Sequence, residues 1–220
     1  MKNILTIGVI TLCTVVLFTA VPQTAAAQLT KKQEKTLQKE RDKEYKKKIT
    51  EYKKEGWKLA GGSRTIEVAL LEHYAKTADP KNKEFIGDVS QCKSINVCRQ
   101  AALNNAQNRY ASLASSNIKG RIGSLLRADA NRPEIEVDKV IAAYERSVQA
   151  DISGVLAESY SIAKENGDGT KTFQTIFIVN EEDAASARTR AMEKSLKETK
   201  ITIEEAEEIS KFVREGFNIE

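Results

Sequence analysis

Near residue 155 the apolar pattern of the chain changes period, and this change constrains the fold more than any other feature. Residues 155–163 and 172–179 alternate apolar and polar side chains, and between them stands Asn166-Gly167-Asp168-Gly169. Alternation sends successive side chains to opposite faces of a strand, and Asn-Gly and Asp-Gly suit the positive φ angles of tight turns. The stretch therefore predicts a β-hairpin. Tyr160 and Ile162 share one side of its first strand, and Phe173 and Phe177 one side of its second. A third short run, EFIGDVSQ over residues 84–91, is β-compatible and bounded by turn residues.

The rest reads as helix. Thr30 with Gln33 forms a capping box that opens a charged helix over residues 30–55. Its apolar residues, Leu37, Tyr45, Ile49 and Tyr52, make one thin stripe. Gly56-Trp57 ends it, and Trp57 is expected either to fold back onto the domain or to act as a hinge or anchor. Thr65 opens a short helix through Ile66, Leu70, Leu71 and Tyr74. From Ser94 to about Leu126, Cys98, Ala102, Ala106, Tyr110, Leu113, Ile118, Ile122 and Leu125 recur near helical period, with a small-residue face. Pro133 opens a helix through Val137, Val140, Ile141, Tyr144, Val148 and Ile152. Asn180 with Asp183 starts another through Ala184, Ala187, Ala191 and Ser195. Thr202 with Glu205 caps a last one that buries Ile203, Ile209, Val213 and Phe217. The expected fold is α+β: a three-stranded antiparallel sheet covered on one face by helices and preceded by a long charged N-terminal helix.

The first residues carry the three parts of a secretory signal. Lys2 is the positive start, an apolar run extends from Ile4 to Val21, and Pro22 precedes Ala25-Ala26-Ala27. Cleavage after Ala27 leaves 193 residues from Gln28, divided as a charged leader to residue 60, a core over 61–200 and a C-terminal helix over 201–220. An uncleaved anchor is the alternative, since the run reaches the roughly 18-residue lower limit for spanning a bilayer. Cys13 follows Leu12, where acylation needs a small residue, so no lipid anchor is expected. After cleavage no integral membrane span is expected, and the protein is read as exported: periplasmic, associated with the outer envelope, or secreted. Residues 29–59 hold twelve basic and six acidic side chains, and residues 181–220 hold seven and eleven, so the charge is polarised. The mature net charge of +3 is too small to argue for nucleic acid. Cys92 and Cys98 form an even pair, expected as a local disulfide in an oxidising compartment; a metal pair is the alternative, but no His or further Cys stands near.

The strand EFIGDVSQ, the helix AALNNAQNRYASLASSNIKGRI and the hairpin GVLAESYSIAKENGDGTKTFQTIFIV followed by an Ala-rich helix resemble the twenty-kilodalton bacterial surface lipoprotein family. With the leader KKEGWKLAGGSRTIEVALLEHY, the mature chain also resembles an uncharacterised family of exported proteins from gut-dwelling Gram-negative bacteria. In that family a charged helix leads into a Gly-Trp-Lys motif, here Gly56-Trp57-Lys58. The resemblance implies an α+β fold and an envelope address; it implies no activity.

No constellation of reactive residues stands out. His73, the only histidine, reads as an ordinary helix-surface residue. The serines lack a Gly-x-Ser-x-Gly elbow. Asp88 and Glu158, both on expected strands, are candidates for a glycosidase pair that spacing cannot single out. Asp168 lacks the alternating ligands and twelfth-position Glu of a calcium loop. Neither Gly120-x-x-Gly123 nor Gly61-Gly62 fits a phosphate loop. No cofactor or metal is expected. The reading is a non-enzymatic interaction or structural module that meets a partner protein, itself or an anionic envelope surface through Lys46, Lys47, Lys48, Lys53 and Lys54, with Trp57. Two alternatives are a small-ligand binder, with a cleft between the sheet and the helix at 66–74, and a hydrolase of envelope polymers.

Overall fold

The computed structural model describes residues 30–127, 134–199, 209–211 and 213. The expected signal segment and the last helix's Thr202, Ile203, Glu205 and Phe217 lie outside the described residues. The elements are α1 (Lys31–Lys54), β1 (Lys58–Leu59), α2 (Ile66–Lys76), β2 (Asn82–Cys92), α3 (Ile95–Arg127), α4 (Glu134–Ile152), β3 (Ala157–Glu165), β4 (Lys171–Asn180) and α5 (Glu181–Thr199). The chain divides into residues 1–41 and a compact unit of residues 42–220. In the first, the capping box forms as expected: Thr30 N–H donates to Gln33 Oε1 at 2.8 Å, and Gln33 N–H donates to Thr30 Oγ1 at 3.4 Å.

The second unit is α+β, with an antiparallel sheet of four strands in the order β1-β3-β4-β2. The fourth strand, absent from the three-stranded expectation, is β1, where Lys58 pairs with Ala163 and Leu59 with Ile162. Two residues are too few for alternation to show. What makes the strand is the turn before it: Gly56 takes φ 78°, and Trp57 N–H closes back onto Tyr52 O at 2.9 Å, which aims the chain along β3. The β3–β4 hairpin is as expected. Asn166 N–H donates to Thr170 O at 2.8 Å, and Asp168 Oδ1 accepts the Thr170 amide and hydroxyl at 2.9 and 2.6 Å. Asp168 is thus a turn carboxylate, and the Thr170 hydroxyl holds its carboxyl below the usual range.

Helices cover both faces of the sheet, which corrects the one-sided expectation. On one face α3 lies over Phe85, Gly87, Val89, Phe173 and Phe177, with α4 and α5 behind it. Its small-residue stripe allows an unusually close approach: a Cβ placed on Gly87 would stand 2.0 Å from Ala102 O. The Cys92–Cys98 disulfide joins the end of β2 to the first turn of α3, with Cα atoms 5.5 Å apart, and both cysteines are buried beside Ala60, Ala102 and Phe173. Ile209 and Val213 are fully buried in the larger core cluster with Val140, Tyr144 and Met192.

The opposite face carries Tyr160, Ile162, Ile176 and Ile86 and is covered by α2 and by residues 42–54 of α1. In β4 the unbroken run Ile176-Phe177-Ile178-Val179 puts apolar side chains on both faces, so a second layer of helix is required. Between Glu158 and Tyr160 a bulge shifts the register of β3 against β4 and frees Ser159 to turn toward α2.

Candidate functional site

Within the compact unit, α1 is fixed in rotation as well as position. Ile49 is 9 % and Tyr52 6 % exposed, and both pack with Trp57, Leu70, Tyr160, Ile162 and Ile176. The Tyr52 and Tyr160 hydroxyls lie 3.0 Å apart, and burial pushes both phenols above their ordinary value. On one side Tyr45 OH donates to Glu67 O at 3.4 Å, and Lys53 Nζ lies 2.8 Å from Glu67 Oε1, which ties α1 to α2.

A helix held this way presents a defined outer surface. At roughly 100° per residue, Lys43, Lys46, Lys47, Lys53 and Lys54 fall in an arc of about 120° centred on Thr50. All five lysines are exposed. Glu44, Glu51 and Glu55 gather on the other flank. Asp42 stands at the opposite edge, so the lysines form a strip between it and the three glutamates. Lys47 reaches Glu51 at 3.9 Å where the two flanks meet, and Lys46 and Lys54 have no ion pair among the described residues.

Of the residues expected to form a contact surface, Lys46, Lys47, Lys53 and Lys54 are brought together. Lys48 is not among them: it is half-buried on the core side, its Nζ 5.2 Å from the centre of the Tyr52 ring. Trp57 is 8 % exposed and belongs to the core, its Nε1–H donating to Glu55 Oε2 at 3.0 Å and its ring under Lys164 Nζ at 4.8 Å. Trp57 thus folds back onto the domain, as one of its two expected roles has it, and the hinge or surface-anchor expectation is corrected. Of the two placements open to a stripe this thin, on its own domain or against another helix, the part from Tyr45 to Tyr52 takes the first and faces the protein's own sheet.

Sequence reasoning missed the role of His73, which is 2 % exposed rather than on the surface. Ala69, Leu70 and His73 share the core side of α2, while Leu71 points out at 54 % exposure. An exposed leucine beside buried ones draws the apolar face expected from spacing away from His73. His73 Nε2 donates to Glu84 Oε2 at 2.7 Å, and Nδ1 lies 3.2 Å from the Ser159 hydroxyl. The His73 hydrogen bond holds the Glu84 carboxyl below the usual carboxylate range against the opposing pull of burial, with help from Lys48. Serine, histidine and glutamate in a row invite comparison with a hydrolytic triad, but the burial is inverted. Ser159, which would attack a substrate, is 6 % exposed, whereas the Glu84 side chain on the edge strand is 44 % exposed. The row ties α2 to β2 and β3.

The other chemical candidates separate. Glu158 is in register with Phe177 and through it with Phe85, so it lies on the α3 face, hydrogen-bonded by Ser161 and 3.4 Å from Arg99 Nε. Asp88, three residues beyond Phe85, faces the other way, so the two acids cannot flank one bond. The cleft expected between sheet and α2 is filled by Ala69, Leu70 and His73. An open groove does exist beside β1, lined by Gly56, Leu59, Gly61, Ile95 and Lys164 among others. Among the described residues no group of three or more His, Cys, Asp or Glu is placed to hold a metal, and no helix is long and apolar enough to cross a membrane. Comparison with protein families, with curated proteins and with solved structures finds no match.

Proposed function

We propose that this chain is an exported cell-envelope protein that works by binding rather than catalysis, with α1 as the element it presents. One observation carries the reading: from Tyr45 to Tyr52 the apolar stripe of α1 packs on the protein's own core, so residues 42–54 are held with a lysine flank outward. The sequence supports the address through its signal-like first 27 residues, and the resemblance to exported and surface-lipoprotein families points the same way. The Cys92–Cys98 disulfide suits an oxidising compartment. The inverted burial of Ser159 and Glu84 and the opposed faces of Asp88 and Glu158 weigh against hydrolysis at the places where it would be sought.

A photo-crosslinking residue placed at Lys46 or Lys54 in living cells tests the reading. Adducts, to protein or to lipid, are expected from these positions and not from Asn104, an exposed residue on α3. Equal yields from all three, or none from any, would refute it.

A further inference from the structure

We infer, resting on that reading, that the lysine flank of α1 lies flat against the phosphate headgroups of an anionic bilayer. The kind of cation is the first reason. The exposed arc holds lysines and no arginine; lysine is a flexible, strongly hydrated point charge, whereas arginine offers the planar fork that pairs with a fixed carboxylate or phosphate. A fluid sheet of headgroups asks for charge, not for fixed geometry. The second reason is what the flank lacks. Protein interfaces are depleted in lysine and rest on buried aromatic, Met and Arg anchors. Here Thr50 is the one uncharged residue at the centre of the arc, and the aromatic residues of α1 face inward, toward the sheet and α2.

The third reason is extent. From Lys43 to Lys54 the lysines run over roughly 16 Å of helix. A row of like charges along one helix suits a plane better than a pocket. Because Ile49 and Tyr52 are already buried, no apolar face remains on residues 42–54 to enter the hydrocarbon, so the contact is adsorption and is screened by salt.

The test is sedimentation of the protein, purified as the cell processes it, with vesicles of phosphatidylglycerol mixed with phosphatidylcholine, and with vesicles of phosphatidylcholine alone. Binding is expected only to the first, with release as salt rises from about 0.1 M to about 1 M and the Debye length falls from about 10 Å to about 3 Å. The variant K46Q/K47Q/K54Q should partition roughly a hundredfold more weakly, at about 1 kcal/mol for each lysine near an anionic surface. Fluorescence of the buried Trp57 checks that the variant keeps its fold. Equal binding to both vesicle types, or unchanged binding by the variant, would overturn the lipid contact. So would absence of vesicle binding together with protein adducts at Lys46 and Lys54 in cells; that outcome leaves the module reading standing with a protein as partner. Absence of both vesicle binding and adducts removes both.

Discussion

At the scale of single residues, two positions decide how the layers of the compact unit meet. Gly87 lets the backbone of α3 rest on β2; an alanine there would put its Cβ 2.0 Å from the Ala102 carbonyl oxygen, and neither backbone can yield cheaply. Gly87→Ala should destabilise the protein by about 3 kcal/mol or more, read by denaturant unfolding followed through Trp57 emission. A loss within experimental error would show that α3 is not seated as described. On the other face, Glu84 has its folded pKa depressed below the ordinary value of 4.5, so its contribution is present above that value and lost as pH falls through the folded pKa. Glu84→Gln should therefore destabilise near neutral pH, and the gap to the parent should close as pH falls below 4.5. A gap that stays constant into acid would contradict the His73–Glu84 contact. Neither residue was legible in this role from sequence. A glycine inside a strand and a lone histidine on a helix signal their partners only once a particular helix is laid on a particular face. The same holds for Arg188, fully buried among the alanines of α5, where its Nη1 donates to Tyr110 OH at 2.5 Å and its Nη2 pairs with Glu181.

Among the elements, the long helices and the hairpin were legible because period and caps agree along their length. The helix beginning at Asn180, for example, is capped by Asn180 Oδ1, which accepts the Glu182 amide at 3.1 Å. The two-residue β1 was not, because nothing repeats in two residues; nor was the second covered face, because an apolar strand face does not name the helix that will cover it. That gap matters most for α1, whose stripe looks the same whether it meets a partner or its own sheet. The structure makes residues 42–54 part of the core, so removing residues 28–55 should unfold the protein rather than leave a stable remainder. Two substitutions separate the roles of its two sides. Ile49→Ala should cost about 2–4 kcal/mol, whereas K46Q/K47Q/K54Q should change stability by no more than about 1 kcal/mol. If the lysine variant proves the more destabilising of the two, the flank is structural.

For the molecule as a whole, charge was legible in amount but not in arrangement. The twelve basic and six acidic residues of segment 29–59 look interleaved in sequence, and the field looks diluted. Over residues 42–55 the 3.6-residue turn sorts Lys43, Lys46, Lys47 and Lys54 from Glu44, Glu51 and Glu55, with Asp42 at the other edge, and the buried Ile49 and Tyr52 hold that sorting in place. A binding surface can thus be built from residues that never touch, provided the helix bearing them cannot roll. The most direct test compares the parent protein and K46Q/K47Q/K54Q in fractionated cells at matched expression, with low-salt and high-salt washes. The parent should stay with the envelope membranes in low salt and be released by high salt, and the variant should be released by the low-salt wash. If both distribute alike in every wash, the lysine flank is not what holds this protein in place.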